Sequence, residues 1–470
     1  MAILSFIQNY FGTFLLVLTP LVFIHELGHF AVARLCRVRV EVFSIGFGPE
    51  LFGWTDRTGT RWKFSWLPLG GYVRMFGQDE NALEGEAARP MSEAERKVSF
   101  KNKSVGQRIA IVAAGPAANF LFAVVVLALV YLFVGKPYVD PVVGVVTPGS
   151  AAAEAGLQAR DRILSLNGAA VDEFGDIEVR VQMNLDQPLA IVLDRGGKQI
   201  EVTAHPKVVT TQDMFGNTVQ MAQLGIAPHQ EPVIGEVVGE SAAADAGLQP
   251  GDRIVALNGT PIADFGQVVA AVRDSVDKPL AITIDRAGTQ LQLTARPTVV
   301  EVKDESGKSI RMPRLGIAAE APQSKKITVG PIDATIAAGR EVYGQTVMML
   351  TGLWQMVTGA RPSDEIGGVL RMAKMSGDVA QHGGFSSLVM LSVLLSINLG
   401  LINLFPVPVL DGGHLVYYAV EGVRGRPLGQ KAQEFGLKVG LALVLSLMLF
   451  ATWNDLVYLK VFERVKSLFM

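Results

Sequence analysis

The sequence predicts a polytopic α-helical membrane protein of about four transmembrane helices, with β elements in its first loop and two tandem mixed α/β modules between the second and third spans. Three observations predict this class. Four apolar runs approach the twenty residues that cross about 30 Å of hydrocarbon. One stretch of the chain repeats itself at a constant offset. The composition is 49% hydrophobic over 470 residues, with a mean hydropathy of +0.33, and the apolar residues sit in runs rather than evenly.

The first run, Phe11 to Ala33, has no basic cluster before it and carries His25-Glu26-Leu27-Gly28-His29 towards its far end. It therefore reads as a retained span rather than a cleaved leader. Thirteen Lys and Arg follow between Arg34 and Arg108, against none in the first ten residues, which puts that loop in the cytoplasm. Both termini and the repeat then fall on the outer side, with Arg424, Arg426 and Lys431 inside; Lys460, Arg464 and Lys466 run against this arrangement. The second run, Ile109 to Val134, has no charged residue from Phe120 onward, which a buried soluble helix would not require. The third and fourth runs are Phe385 to Leu410 and Val439 to Tyr458. A net charge of −2 gives no basic footprint, so no nucleic-acid partner is expected. The single cysteine, Cys36, has no internal disulfide partner and reads as an inert thiol at the inner boundary.

Residues 142–206 align without a gap with residues 233–297, an offset of 91. Ala155-Gly156-Leu157-Gln158 returns as Ala246-Gly247-Leu248-Gln249, and Leu166-Asn167-Gly168 as Leu257-Asn258-Gly259. Short Val/Ile runs, small-residue helix starts and Asn-Gly turns predict compact mixed modules. The second copy, Ala246 to Ile254 followed by Asn258-Gly259, resembles a PDZ domain. The first has Ala159-Arg160 where the second has Pro250-Gly251, which predicts an altered turn there. The resemblance implies capture of extended chain ends by strand addition, with Ile226 and Ile317 as groove residues; a purely structural spacer is the competing reading. The expected divisions are 1–135 for the first two spans and their loop, 136–228 and 229–320 for the modules, 321–384 for an outer-surface amphipathic segment, and 385–470 for the last two spans. Within the amphipathic segment, Pro331 to Gly359 with Trp354 suits a helix lying along the membrane.

On a helix, His25 and His29 share a face and can hold one divalent ion, while Glu26 lies beside it to deprotonate a water. The competing reading is two histidines satisfied by neighbouring backbone, but an uncompensated Glu26 inside a span costs about 2.5–3.5 kcal/mol. A catalytic zinc site takes three protein ligands and leaves a position open. The third candidate is Asp411, in Asn403-Leu404-Phe405-Pro406-Val407-Pro408-Val409-Leu410-Asp411-Gly412-Gly413-His414. Pro406 and Pro408 interrupt the helix there and free backbone groups. Alternatively, Asp411 merely caps the next helix.

His-Glu-x-x-His in the first span, paired with Asn403 to Gly413 in a later one, resembles the site-2 protease family of intramembrane zinc metalloproteases, in its bacterial branch with tandem PDZ domains. The resemblance covers nearly the whole chain. It implies that His25, His29 and Asp411 bind Zn2+, that Glu26 is the general base, and that His414 is not a ligand. It implies membrane-associated β elements at Phe47-Gly48-Pro49 and Pro68 to Val73, with Gly70, Gly71 and Tyr72 holding an unwound substrate. Asn398 and Asn403 become substrate-positioning amides, with Pro406 and Pro408 in the same substrate-binding segment. Gly115-Pro116-Ala117-Ala118-Asn119 resembles a second-span motif of the family. Val369 departs from the family, where proline is usual, and leaves the path of the outer segment open. The implied function is intramembrane cleavage of single-span membrane proteins already shortened by an upstream site-1 type protease. An anti-sigma factor in envelope stress signalling and remnant signal peptides are the expected substrates. The implied setting is the lipid of a bacterial inner membrane, with the PDZ domains periplasmic. Two other readings are a membrane-embedded metal hydrolase with a non-peptide substrate and a PDZ adaptor with a structural metal.

Overall fold

The computed structural model describes residues 10–78, 91–184, 187–212, 218–239, 241–275, 278–303, 309–319, 327–359, 366–382 and 384–458. Arg89, Lys460, Arg464 and Lys466 of the charge argument, and 321–326 of the expected outer segment, lie outside the described residues. The chain divides into two units, one of Met1–Phe133 with Gly330–Met470 and one of Val134–Asp213 with Thr218–Val329.

Helix α1 (Gly12–Leu35) buries Phe14, Val17, Leu21, His25, His29 and Ala33, a three-and-four stripe that puts both histidines on its inward face. Arg37 ends it at a φ of 57°, with Val38 N–H donating to Ala33 O and Arg37 N–H to Arg34 O, a Schellman closure without glycine. Strands β1 (Val40–Thr55) and β2 (Arg61–Met75) form a bent antiparallel hairpin. Residues 42–45 pair with 71–74 on one side and 61–64 on the other, and 61–65 pair again with 50–55. Two strands thus supply four rows, with 71–74 at one edge. The hairpin turns at Asp56, whose Oδ1 accepts from Thr58 N–H and Thr60 N–H. Phe43 stacks on Trp62 at 4.4 Å and joins Ala33 and Ile111 in one buried cluster, which seats the hairpin on the helices. Helix α2 (Glu93–Val98) begins with a Ser92/Glu95 capping box. Helix α3 (Val105–Phe133) spans 29 residues, about 44 Å at 1.5 Å each. At its crossing with α1, a Cβ on Gly28 would lie 2.2 Å from Ala114 O, so the backbones touch as small residues permit in membranes.

In the second unit the first module comprises β3 (Val143–Val146), α4 (Ala151–Glu154), β4 (Arg162–Leu166), β5 (Ala169–Ala170), α5 (Phe174–Met183), β6 (Leu189–Arg195), β7 (Lys198–Ala204), β8 (Lys207–Gln212), β9 (Thr218–Gln223) and β10 (Ile226–Pro228). The second repeats it as β11 (Ile234–Val237), α6 (Ala242–Asp245), β12 (Arg253–Leu257), β13 (Thr260–Pro261), α7 (Phe265–Arg273), β14 (Leu280–Arg286), β15 (Thr289–Ala295), β16 (Thr298–Lys303), β17 (Ser309–Arg314) and β18 (Ile317–Ala319). Four-stranded sheets β5-β4-β6-β7 and β13-β12-β14-β15 carry separate apolar cores, and β3 pairs with β10 as β11 does with β18. The expected difference at Ala159-Arg160 is corrected. Arg160 takes a φ of 73° where Gly251 has 90°, and each donates its N–H across 2.7 Å, to Val143 O and Ile234 O. The shared backbone hydrogen bond offsets part of the roughly 1–2 kcal/mol that a left-handed non-glycine residue costs, and the turn is kept. Asp161 and Asp252 are buried in the two modules and paired at 2.7 Å with Arg195 and Arg286.

The first unit resumes with α8 (Pro331–Val357), which packs on α3, buries Ala334, Ala338 and Val342 and leaves Ile336, Tyr343 and Trp354 exposed. Helix α9 (Val369–His382) begins at the residue where the sequence departs from the resembled family. Helices α10 (Gly384–Asn403), α11 (Asp411–Arg424) and α12 (Gln430–Tyr458) complete the chain. Two expected boundaries are corrected. The third span ends at Asn403 rather than Leu410, because Pro406 and Pro408 lack the N–H groups that would continue it. The fourth begins at Gln430 rather than Val439. Helices α1, α3, α10 and α12 are each long and apolar enough to cross a membrane. Helix α12 leaves Leu441, Leu445 and Leu449 exposed, a face suited to lipid. Near its end the buried Asp455 carboxylate accepts from Gly368, Leu370 and Arg371 N–H at 2.8, 3.0 and 3.1 Å, satisfying the first turn of α9.

A candidate metal centre and active site

Helix α1 presents His25 and His29 one turn apart, each only 8% exposed. Asp411, the first residue of α11, meets them across the bundle: its Oδ2 lies 3.1 Å from His25 Nε2 and 3.4 Å from His29 Nε2, and the two Nε2 atoms are 3.2 Å apart. His29 Nδ1 is 2.9 Å from Ile111 O, so that nitrogen carries the ring proton and Nε2 is left with a lone pair. Asp411 Oδ2 is buried with no fixed hydrogen-bond donor. A dication placed among these three atoms would be coordinated by all of them at once. A tetrahedron with bonds of about 2.0–2.1 Å has edges of about 3.3 Å, so the donor set fits zinc in both chemistry and spacing. The fourth corner is available to a water or a substrate oxygen.

Room for this arrangement comes from α3. A Cβ on Gly115 would lie 2.2 Å from His29 Nε2 and 2.9 Å from His25 Cε1. One turn further along, the fully buried Asn119 side chain reaches His25 Nδ1 at 3.2 Å. Neither residue stands out individually in the sequence; their only signal was a glycine and an asparagine one turn apart in an apolar span, within the segment that resembles a family motif.

Glu26 faces a cavity of about 610 Å³ shared with His25, His29, Tyr72, Asn403, Asp411 and His414. Strand β2 lies against its side chain: the Val73 N–H faces the carboxylate, and a Cβ on Gly71 would lie 3.1 Å from Glu26 Cγ. Gly70 lies under the Phe47 ring instead. Asn403 lines the cavity, its Nδ2 donating to Leu399 O at 3.0 Å, whereas Asn398, Pro406 and Pro408 do not line it. Pro408 packs against Gly440 of α12. Further along the wall, Arg108 and Glu421 form a two-pronged ion pair at 2.7 and 3.1 Å that ties α3 to α11. Ile226 and Ile317 lie in the other unit, each opening a strand after a glycine of positive φ and packed against its own module's core.

Three convergent candidate ligands, an adjacent carboxylate and a polar cavity among bilayer-length helices are the features of a membrane-embedded metallohydrolase. The chain matches peptidase family M50 over residues 13–447. It is 37% identical over 474 residues to the regulator of sigma-E protease RseP of Escherichia coli, covering 96% of this chain and 99% of that one. It is 36% identical over 465 residues to RseP of Salmonella typhimurium, with 96% and 99% covered. The PDZ domain of an SdrC-like protein from Listeria monocytogenes aligns with 20% of the chain and 88% of its own length, at 20% identity and a TM-score of 0.16, too low to carry an argument. The chain belongs to peptidase family M50 and is a zinc-dependent metalloprotease of the site-2 type.

Proposed function

We propose that His25, His29 and Asp411 hold the zinc of this protease, that Glu26 moves the proton, and that the bond cut lies in a substrate's transmembrane segment. The observation that carries this reading is the meeting of three mutually close donor atoms beside one carboxylate, on elements most of the chain apart. Bound there, zinc supplies Lewis acidity towards a water and the scissile carbonyl. Glu26 takes a proton from the attacking water at a carboxylate oxygen and delivers it to the amide nitrogen as the C–N bond breaks. The Val73 N–H and the close approach of Gly71 keep that carboxylate aimed into the cavity.

A substrate helix has its backbone bonded internally and must unwind before attack. Residues 71–74 form an edge of the described hairpin, and Tyr72 and Val73 line the cavity, so an extended substrate can add as a further strand beside Glu26. Asn403 is the amide best placed to position it. We read the two modules as tandem PDZ domains on the periplasmic side of a bacterial inner membrane, with Ile226 and Ile317 at their grooves. They screen substrates by size, so that an anti-sigma factor or a remnant signal peptide is cut only after an upstream protease has shortened it. The similarity to proteins named as regulators of sigma-E supports that substrate class.

The test follows a tagged single-span anti-sigma-factor fragment, lacking its outer domain, in membranes with wild type, Glu26→Gln or Asp411→Asn. A smaller product from wild type alone is expected. Equal product from Glu26→Gln would remove Glu26 from the chemistry, and no product from folded, zinc-loaded wild type across several substrates would sink the proteolytic reading.

A further inference from the structure

We propose that Asn119 is the positioning residue for His25, its carboxamide oxygen accepting the Nδ1 proton so that Nε2 presents its lone pair to the metal. This rests on the assignment of His25, His29 and Asp411 as ligands. Metal-binding imidazoles hold their orientation and tautomer through a hydrogen bond from the other ring nitrogen to an acceptor. His29 has that acceptor, Ile111 O at 2.9 Å. The group facing His25 Nδ1 is the Asn119 carboxamide at 3.2 Å.

Ile111, Gly115 and Asn119 recur at one-turn intervals on α3 and run antiparallel to His25 and His29 on α1. One stripe of α3 therefore serves both ligands: a backbone carbonyl for His29, a side-chain amide for His25, and a glycine between them that leaves space for the rings. The orientation of the amide decides which His25 nitrogen carries the proton. With Nδ2 towards the ring, Nδ1 must accept and the proton moves to Nε2, the atom required for the metal. Half a turn about χ2 exchanges oxygen and nitrogen with little change of shape, places the proton on Nδ1, and frees Nε2. In the structure Nδ2 faces His25 Nδ1 and the buried Oδ1 has no hydrogen-bond partner among the described residues, so the orientation is set by which proton position on His25 the metal requires. The residue itself is held in place, since Ser396 of α10, also fully buried, donates its hydroxyl to Asn119 O at 2.9 Å.

The experiment measures zinc affinity of the full-length protein in detergent by competition with a chromogenic chelator, so that no turnover is needed. Wild type is compared with Asn119→Leu, Asn119→Asp and Asp411→Asn. An aspartate at 119 can accept from Nδ1–H but, ionised, cannot donate to it. Asn119→Leu should bind zinc about 10–100-fold more weakly, and Asn119→Asp within about threefold of wild type. Unchanged affinity in Asn119→Leu, or a loss in Asn119→Asp as large as in Asn119→Leu, overturns the proposal. Should Asn119→Leu not fold, Asn119→Asp decides alone: retention supports the acceptor role and loss ends it. Undiminished affinity in Asp411→Asn would instead defeat the ligand assignment and this proposal with it. If Asp411→Asn loses zinc while Asn119→Leu keeps it, only the role of Asn119 fails.

Discussion

To hold a metal as proposed, His25 and His29 need four things from their surroundings: a shared face, a third ligand, an acceptor for each Nδ1, and empty space where their rings converge. The pentapeptide supplies only the first, and it was legible because a helix puts residues four apart on one side. Gly115 supplies the space, which leads to a sharp expectation. Gly115→Ala favours the helix by about 1 kcal/mol in propensity, yet its methyl group would fall 2.2 Å from His29 Nε2. Metal analysis of the purified variant should therefore show zinc lost while helical content by circular dichroism is kept; full zinc occupancy would mean that the rings have room to spare. Glu26→Gln is the complementary case, expected to retain zinc while cleavage falls by about 10²–10⁴-fold. Glu26 was readable as a candidate base from its neighbours in sequence, but its position against Val73 was not, because a backbone group on a separate hairpin leaves no trace in a helical motif.

Helices and strands show where local signals suffice and where they stop. Apolar length gave the four spans, yet the third stopped at Asn403, seven residues early, because two prolines outweigh hydropathy once backbone donors are counted. Asp455 illustrates a connection that no period encodes: one carboxylate near the end of α12 satisfies three N–H groups at the start of α9. Asp455→Ala should speed amide hydrogen exchange at Gly368, Leu370 and Arg371 by at least tenfold, since buried donors without acceptors favour opening by more than about 1 kcal/mol. Unchanged exchange would mean that water already serves those groups. Within the second module, burial works to raise the Asp252 carboxyl, but the hydrogen bonds from Arg286 and from Gln249 N–H outweigh it and hold it below the usual carboxylate range. A depressed folded value means stability that is present above the unfolded pKa of about 3.9 and lost as pH falls through the folded one. Urea titrations followed by proteolysis should show that acid loss in wild type and a smaller one in Asp252→Asn, which is itself less stable at pH 7 by about 2 kcal/mol through the loss of charge-assisted hydrogen bonds.

Taken whole, the chain is a membrane enzyme interrupted by a repeat whose two ends are neighbours: Lys136 and Ile327 exchange backbone hydrogen bonds at 3.0 and 3.3 Å. Ends that close can be bridged by a short linker, and the remaining unit keeps its own core. If the modules screen by size, removing 136–327 should leave zinc binding intact and allow cleavage of single-span proteins with intact outer domains that the full chain cuts poorly; a fragment that binds zinc but handles them no better than the full chain would take size selection away from the modules. The sequence by itself determined the spans, the repeat and the residue types of the candidate metal site, because apolar length, a constant offset and helical spacing are local properties that survive without a fold. Even the altered turn at Arg160 shows the limit of that reading, since a single hydrogen bond to Val143 O restored the geometry that glycine gives the other copy. Only the tertiary structure decided that Asp411 meets His25 and His29, that Gly115 and Asn119 shape their surroundings, and that β2 steadies Glu26. Each of these is a contact between elements distant in sequence, set by how the helices pack, and packing is a property of the assembled chain that no segment carries alone.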